Sequence, residues 1–327
     1  MLALRLHRAG DLRLHDEPVP AAGDGASLVR VTAVGLCGSD LHWFGEGTIG
    51  DARVERPLVL GHEFAGVVES GPLSGRRVAV DPAIPCMICR QCRAGDHNLC
   101  PTIRFAGHGG QDGGLREYVA WPTGLLHPLP DEIGDVAGAL LEPLGVALHA
   151  HDLGHVRAGA SVAVVGCGPI GLLLVQVARA AGASRIVAVD PLAHRRAAAT
   201  AFGADEAIEP AGAGALADVD VAFEAAGPDD AVRTALALAR PGARVVLAGI
   251  PDDDRTSFPA SLARRKGLTL VLVRRMRDAY PRAIRLVQRR VVDVDAVVTD
   301  RAPLDDAPGT FVAAASRTGL KAVIHPT

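Results

Sequence analysis

The sequence predicts an α/β protein of two domains, a β-rich amino-terminal domain followed by a doubly wound parallel sheet. Three observations support this prediction: the chain length, a change in the apolar pattern near residue 138, and a glycine motif between an apolar strand and a helix. With 327 residues, the chain exceeds the usual size of one hydrophobic core. We therefore expect two separately packed domains.

The amino-terminal part, up to about Pro130, contains short apolar runs that glycine and proline interrupt. Residues 27–34 and 65–68 are typical of these runs. Short runs bounded by turn-forming residues predict β-strands. This part of the chain should therefore be rich in β-structure.

The second part begins at about Gly138 and alternates between helical and strand patterns, which predicts a doubly wound parallel sheet. Its expected segments are, in order, a helix up to Leu148, a strand at 162–165, a helix at 170–181, strands at 186–189 and 219–223, a helix at 229–239, and strands at 244–248 and 269–273. A helix from about Tyr280 and a strand at 322–325 follow. Periodicity alone does not give the place of this last strand.

The composition, with 49% hydrophobic residues, 22% charged residues and a formal net charge of −3, is that of an ordinary globular protein. Because it produces no overall basic field, we expect no nucleic-acid partner. The most apolar stretch, residues 161–178, contains three glycines and a proline, which favours a strand, a turn and a helix over a membrane span. The amino terminus has no apolar export signal, so we expect a cytoplasmic protein with no membrane partner.

A dinucleotide-binding motif follows the predicted strand at 162–165. Gly166, Gly168 and Gly171 form G-x-G-x-x-G where a helix begins, and Pro169 and Ile170 lie in the first turn of that helix. The first glycine permits a tight turn, the second a close approach of the pyrophosphate, and the third close packing of helix on strand. The amide groups at the start of the helix then bind the anion.

The type of dinucleotide depends on the end of the next strand. Asp190 lies nineteen positions after Gly171, near the spacing of a carboxylate that binds ribose hydroxyls, and its charge would repel a 2′-phosphate. NAD is therefore expected rather than NADP. Arg195 and Arg196 leave NADP open, because an arginine just past the strand accepts that phosphate in some proteins.

Four of the six cysteines form one cluster, C-x2-C-x2-C-x7-C, made of Cys86, Cys89, Cys92 and Cys100. Four thiolates at this spacing predict a closed tetrahedral zinc site with a structural role. An iron–sulfur cluster, a nucleic-acid zinc ribbon and disulfides are the alternatives.

A second metal site is expected from Cys37 and His62, each at the boundary between a strand and a turn. A catalytic zinc has about three protein ligands and one open position. The cysteine cluster uses four thiols and Cys167 lies in the phosphate turn, so a carboxylate is expected as the third ligand. Glu63 and Glu142 are the two candidates.

These residues and motifs make the chain resemble the zinc-containing medium-chain dehydrogenases, and within them the sorbitol and xylitol dehydrogenase branch. The resemblance covers nearly the full length. The matching segments are CGSDLH at 37–42, IGD at 49–51, LGHE at 60–63, LEPL at 141–144 and RMRDAYP at 275–281.

The resemblance implies a zinc-dependent transfer of hydride between a secondary alcohol, best a polyol, and NAD. It implies one catalytic zinc held by Cys37, His62 and glutamate, with Glu63 and Glu142 sharing that duty, and one structural zinc. The further residue roles that it implies are proton relay by Ser39, His42 or a water held by Glu142, and contact with the substrate by Trp43, Phe105 and Arg275.

The resemblance also implies an architecture. A β-rich GroES-like catalytic domain would comprise 1–144 and 281–327, a Rossmann dinucleotide-binding domain would comprise 145–280, and the chain would form homodimers or homotetramers.

Other activities stay open at this point. Met276 stands where polyol enzymes tend to have a tyrosine, and His42 matches a position that helps proton transfer in threonine dehydrogenases. L-Threonine or a simple secondary alcohol is therefore the alternative substrate. A zinc-free reductase of the same superfamily is disfavoured by Cys37, His62 and the cysteine cluster, and a zinc-ribbon binding protein is disfavoured by the few basic residues near that cluster.

Overall fold

The structure is a computed structural model and describes residues 1–216 and 218–327. The strands are β1 (Leu2–Arg8), β2 (Asp11–Asp16), β3 (Ala26–Gly35), β4 (Thr48–Ile49), β5 (Ala52–Arg53), β6 (Leu58–Val59), β7 (Glu63–Ser70), β8 (Arg77–Val80), β9 (Ala83–Ile84), β10 (Arg104–Phe105), β11 (Tyr118–Pro122), β12 (Leu126–Pro128), β13 (Ser161–Val165), β14 (Arg185–Val189), β15 (Glu206–Ile208), β16 (Val219–Glu224), β17 (Ala239–Leu247), β18 (Thr269–Leu272), β19 (Val298–Pro303) and β20 (Lys321–His325).

The α-helices are α1 (Gly38–Glu46), α2 (Arg90–Arg93), α3 (Asp135–Ala139), α4 (Leu141–Gly154), α5 (Pro169–Ala180), α6 (Ala193–Ala201), α7 (Asp229–Leu238), α8 (Ala260–Arg264), α9 (Tyr280–Gln288) and α10 (Ala307–Ala315). Short 3-10 helices lie at His97–Leu99, Thr123–Leu125, Pro210–Leu216 and Asp295–Val297. Over the described ranges, no helix is both long and apolar enough to cross a membrane.

The chain divides into two compact units, each made of more than one segment. The first unit consists of Met1–Glu142, Tyr280–Arg289 and Val294–Thr327, and the second of Pro143–Ala279 and Arg290–Asp293. Both ends of the chain therefore belong to the first unit.

The main sheet of the first unit has the strand order β12-β8-β7-β3-β20-β19, and β11 also pairs with β3. The pairs are antiparallel except for β19 with β20. The last strand, β20, pairs with the carboxyl end of β3, where Val323 lies opposite Gly35. The structure thus gives the place of the carboxyl-terminal strand, which periodicity left open.

The core of the first unit follows from the two-residue repeat of its strands. Alternate residues of β3 are buried, as expected when one face of a strand packs on a core. Phe64 of β7 and Trp121 of β11 are almost fully buried and meet edge to face, with ring centroids 5.8 Å apart. This packing fixes β7, whose first residue is Glu63.

The second unit contains a parallel sheet with the order β15-β14-β13-β16-β17-β18 among the described residues. The chain passes outward from β13 to β15 and then returns to β16 on the other side of β13. Ligands bind at such a reversal of strand order, beside the carboxyl ends of the strands. The predicted α/β fold with a doubly wound parallel sheet is confirmed.

The expected segments of the second unit are present, but α6 and β15 were not predicted. The sequence of α6, AHRRAAATA, contains only alanine as an apolar residue, so no apolar face shows in its pattern. The helix contacts β14 and β15, and these contacts explain its presence. Contacts of this kind cannot be seen in a local pattern.

Candidate active site

The first group of candidate ligands lies in the first unit and consists of Cys37, His62 and Glu63. Cys37 is the N-cap of α1 directly after β3, His62 precedes β7, and Glu63 begins β7. Because Gly35 of β3 lies opposite Glu63 in the sheet, the strand pairing brings these segments together. One ligand atom of each residue lies within 4.8 Å of the others.

Asp40, for which the sequence suggested no role, fixes the geometry of this group. Its buried carboxylate accepts hydrogen bonds from the backbone N–H groups of Cys37, at 3.0 Å, and Gly61, at 3.1 Å. Its Oδ1 also lies 3.5 Å from Nδ1 of His62. This orientation leaves Nε2 as the nitrogen of His62 available to a metal.

The charges in this group shift the pKa of His62. Burial opposes protonation of the imidazole, but the negative charges of Asp40 and Cys37 outweigh burial and raise its pKa above the ordinary value. The surroundings therefore favour positive charge at this point. A metal cation satisfies the same preference.

Lys321 of β20 is the second residue that the sequence did not reveal. Its buried ammonium group donates hydrogen bonds to Glu63 Oε1, at 2.7 Å, and to the carbonyl oxygen of Leu36, at 2.8 Å. It also forms an ion pair with Glu63 Oε2, at 2.5 Å. Glu63 is thus buried and held from one side by Lys321, and carboxylate oxygens have more than one acceptor site each.

Glu142 lies in the first turn of α4 and is 4% exposed. Burial raises the pKa of Glu142 to about 7. The negative charge of Glu63 also raises this pKa, whereas the positive charges of His62 and Lys321 lower it. Glu142 is not part of the group whose ligand atoms lie within 4.8 Å of one another. The geometry therefore favours Glu63 over Glu142 as the third ligand.

Thiol, imidazole and carboxylate are the three donor types that zinc takes in proteins, and three protein ligands leave one position open. The orientation of His62 by Asp40 is a feature that a bound cation explains. The residues of this group therefore fit a catalytic zinc ion.

The second group, made of Cys86, Cys89, Cys92 and Cys100, has its four sulfur atoms within 4.8 Å of one another. Backbone N–H groups within this loop donate to three of the sulfurs, at 3.3 to 3.4 Å. Such hydrogen bonds, first from Ile88 and then from Cys89, lower the pKa of Cys86 to about 6. Burial raises the pKa of Cys92 to about 12, so this thiol needs a bound cation to ionise, and four thiolates fit a closed zinc site.

The glycine turn lies at the carboxyl end of β13 in the second unit. Gly168 is the N-cap of α5 and Pro169 is its first residue, followed by Ile170. A Cβ atom on Gly171 would lie 1.8 Å from the carbonyl oxygen of Gly166, so helix and turn approach as closely as the motif requires. A Cβ on Gly168 would meet nothing closer than 3.8 Å, which leaves space for a pyrophosphate.

Asp190 directly follows β14 and is buried beside this turn. Its Oδ2 accepts from the backbone N–H of Cys167 and its Oδ1 from that of Leu192, both at 2.8 Å. A carboxylate oxygen has more than one acceptor site, so ribose hydroxyls fit the remaining ones. Asp190 thus also fixes the phosphate turn to the end of β14.

The two arginines after Asp190 differ in their surroundings. Arg196 donates to the carbonyl oxygens of Asp190 and Pro191 and to Glu209, at 2.8 to 2.9 Å, so it stabilises the chain locally. Nη1 of Arg195 lies 3.8 Å from the Cβ position of Gly168. Arg195 is therefore the arginine near the phosphate turn.

The remaining predicted site residues lie in both units. Ser39 and His42 are on α1, and His42 Nδ1 lies 3.3 Å from Glu46. Phe105 packs against His62 with ring centroids 5.3 Å apart, whereas Trp43 is only 2% exposed and packs in the core of the first unit. Arg275 belongs to the second unit and has a left-handed backbone, with φ of 55°.

A first unit with a Cys, His and Glu donor group and a second unit with a dinucleotide turn define the class of zinc-containing alcohol dehydrogenases. Two family models match the chain: the alcohol dehydrogenase GroES-like domain over residues 23–131, and the zinc-binding dehydrogenase model over residues 169–289.

Curated relatives match over nearly the full length. The sorbitol dehydrogenase of Rattus norvegicus is 35% identical, with 99% of this chain and 95% of that protein covered. A probable D-xylulose reductase A of Aspergillus clavatus is 36% identical, with 99% and 96% covered. The chain therefore belongs to the zinc-containing medium-chain dehydrogenase family, in its polyol dehydrogenase branch, and it is an oxidoreductase.

Among solved structures, a zinc-binding dehydrogenase from Sinorhizobium meliloti superposes with a TM-score of 0.91 and is 32% identical, with 99% of each chain covered. That structure is bound to NADP. The family resemblance predicted from the sequence is confirmed.

Proposed function

We propose that this chain is a zinc-dependent dehydrogenase that transfers hydride between a secondary hydroxyl group of a polyol and NAD, giving the ketone. The observation that carries the proposal is the buried group of Cys37, His62 and Glu63, held by Asp40 and Lys321 in a member of the polyol dehydrogenase branch. The full-length likeness to a sorbitol dehydrogenase and a D-xylulose reductase supports a polyol as the substrate class.

In this proposal, zinc supplies a Lewis acid for the alcohol oxygen, and the nicotinamide supplies the hydride acceptor. Cys37, His62 and Glu63 hold the metal, while Asp40 orients His62 and Lys321 holds Glu63. The Ser39 hydroxyl accepts the alcohol proton and passes it towards solvent, with His42 and Glu142 as further carriers. Contact with the substrate is proposed for Phe105 and Trp43 of the first unit, and for Arg275 from the family resemblance alone.

Dinucleotide binding is assigned to the second unit. We propose that Gly166, Gly168, Pro169, Ile170 and Gly171 bind the pyrophosphate and that Asp190 binds the adenosine ribose, with Arg195 beside them. The buried carboxylate of Asp190 supports NAD, because a 2′-phosphate there would meet a negative charge. The S. meliloti relative makes NADP the alternative for the test.

Four further assignments accompany this proposal. The first unit is the catalytic domain, predicted as 1–144 with 281–327, and the second is the Rossmann domain, predicted as 145–280. The cysteine cluster holds a structural zinc, which makes two zinc ions per chain. The protein acts in the cytoplasm as a homodimer or homotetramer, and the exposed Leu272 on the sheet-edge strand β18 supports an assembly.

The test is a substrate screen of the purified, zinc-containing protein. Reduction of NAD and of NADP is followed with sorbitol, xylitol, butane-2,3-diol, L-threonine and propan-2-ol. We expect selective activity on polyols with NAD, loss on chelation, and recovery with zinc but not with magnesium. Activity only on L-threonine or propan-2-ol would reject the polyol assignment, and activity that survives complete zinc removal would reject the metal mechanism.

A further inference from the structure

Glu224, the last residue of β16, is a buried carboxylate for which neither the motifs nor the proposed chemistry gives a role. It is 1% exposed. Its Oε1 accepts hydrogen bonds from the backbone N–H groups of Ala226 and Gly227, both at 2.6 Å. The backbone N–H of Gly249 donates to the backbone carbonyl oxygen of Glu224, at 3.2 Å, and also faces the carboxylate. Glu224 therefore connects the turn after β16, through its carboxylate, with the turn after β17, through its carbonyl oxygen and the nearby Oε2.

These two turns touch each other and the glycine turn after β13. Gly249 packs so closely on Gly227 that a Cβ atom on Gly249 would lie 2.2 Å from the Gly227 nitrogen and 2.7 Å from Glu224 Oε2. A Cβ atom on Gly166 would lie 2.8 Å from the Cβ of Ala226. The turns after β13, β16 and β17 therefore pack directly against one another, and the Glu224 side chain is buried next to them.

The strand order indicates which strand ends lie beside each half of a bound dinucleotide. The glycine turn after β13 suits the pyrophosphate, and Asp190 after β14 suits the adenosine ribose on one side of it. The other half of the dinucleotide must then lie on the opposite side of β13, over the ends of β16 and β17. Those ends are the turns that Glu224 connects.

We propose that Glu224 is a positioning residue for the nicotinamide half of the cofactor, because it fixes the turns at 225–227 and 249–250 on which that half lies. This inference rests on the proposed function and adds a residue to the cofactor site. Glu224 does not contact the cofactor. It acts by holding backbone groups that do.

The main test variant is Glu224→Gln, with Glu224→Ala as the more severe change. The glutamine oxygen still accepts from Ala226 and Gly227, but a neutral NH2 group replaces the charged Oε2 that lies against Gly249. The matched control is Asp220→Asn at the opposite end of β16. Asp220 accepts from Ser161 and Arg240, so this control removes the same charge from the same strand far from the turns.

The measurement is the dissociation constant of each zinc-loaded protein for NADH and for AMP, which contains only the adenosine half. We expect Glu224→Gln to weaken NADH binding about tenfold, as loss of a hydrogen bond to a charged group would, and AMP binding by less than about twofold. Glu224→Ala should weaken NADH binding further. Asp220→Asn should leave both dissociation constants unchanged.

Two results would overturn the inference: equal weakening of NADH and AMP, which indicates a general loss of structure, or no change for either ligand. If Glu224→Ala does not fold, the dissociation constants of Glu224→Gln for NADH and AMP still test the inference. Failure of the wild-type protein to bind both NADH and AMP would instead contradict the proposed function, and it differs clearly from the other two results.

Discussion

The two candidate metal groups of the first unit are built in opposite ways. The cysteine cluster takes its four donors from one loop between Cys86 and Cys100, and backbone N–H groups of the same loop bind its sulfurs. The group of Cys37, His62 and Glu63, which we call the mixed group, takes its donors from the N-cap of α1 and from the start of β7. It also depends on Lys321, which is 258 positions away from Glu63.

This difference separates what each group does. A closed set of four thiolates in a local loop adds stability and has no room for substrate. The mixed group contains buried charges that compensate one another only in the complete fold, and it leaves one metal position open. We therefore expect loss of a metal donor from the mixed group to affect activity and loss of a metal donor from the cluster to affect stability.

The largest expected effect is that of Cys37→Ser, which removes the thiolate of the mixed group. Activity should fall by roughly a thousandfold, because the charge stabilisation given by the metal is lost. Metal analysis should show one zinc ion fewer per chain, and the melting temperature should change little. Wild-type turnover with both zinc ions bound is the reference, and activity within about twofold of it would contradict this assignment.

The opposite pattern is expected for Cys92→Ser in the cluster. Loss of the structural ion should lower the melting temperature by roughly 10 °C, since several kcal/mol of metal binding is lost from the folded state. Turnover per folded molecule should stay near that of the wild type at low temperature. If turnover fell as far as in Cys37→Ser, the proposed difference between the two groups would be wrong.

Lys321→Met tests whether the mixed group depends on the last strand. Removal of the ammonium leaves the buried Glu63 with an uncompensated charge, which costs about 3 to 5 kcal/mol of unfolding free energy. Urea unfolding of the protein after zinc removal measures this cost, because a zinc ion bound to Glu63 would compensate the charge of its carboxylate. Exposed Lys and Arg side chains contribute far less, so Arg301→Met on the neighbouring strand β19 is the control, with an expected cost below about 1 kcal/mol.

The smallest expected effect is on the pH dependence of the unfolding free energy, and it arises at Asp220, outside both metal groups. Hydrogen bonds from the backbone and side chain of Ser161 and from Arg240 lower the pKa of Asp220 to about 2. Because the folded-state pKa lies below the unfolded value of 3.8, this carboxylate stabilises the fold above about pH 4, and the contribution is lost as pH falls towards 2.

Asp220→Asn should therefore reduce the unfolding free energy at neutral pH by about 1 kcal/mol, a value that allows for partial exposure of this side chain. The difference from wild type should narrow between pH 4 and pH 3 in urea unfolding. Asp230→Asn on α7, where the carboxylate is exposed, is the matched control with no expected change. A difference that stays constant to pH 3 would show that the charge of Asp220 is not responsible.

The contrast between local and long-range contacts also explains which site residues could be predicted from the sequence. The cysteine cluster and the glycine turn are local, so spacing alone indicates them. The candidate ligands Cys37, His62 and Glu63 could be named from their motifs, but their partner Lys321 could not, because only the pairing of β20 with β3 brings it there. Glu224 escaped notice for a related reason, since its hydrogen bonds go to backbone groups that have no signature in the sequence.

The choice between Glu63 and Glu142 as the third metal ligand shows what local sequence patterns cannot decide. Nothing in the motifs of these two glutamates separates a ligand from a neighbour of the metal. The structure separates them by distance, because β7 starts at Glu63 beside Cys37. The likeness to polyol dehydrogenases was visible from short motifs because those motifs contain the functional residues.

The position of Lys321 in β20 also bears on how the protein is made. Ribosomes add about 5 to 20 residues per second, so Glu63 leaves the ribosome roughly ten to fifty seconds before Lys321. During that interval β3 lacks its neighbour β20, and the carboxylate of Glu63 has no ammonium group beside it. The mixed group therefore reaches its final form only when almost the whole chain has been synthesised, whereas the cysteine loop has all its donors after the first third of translation.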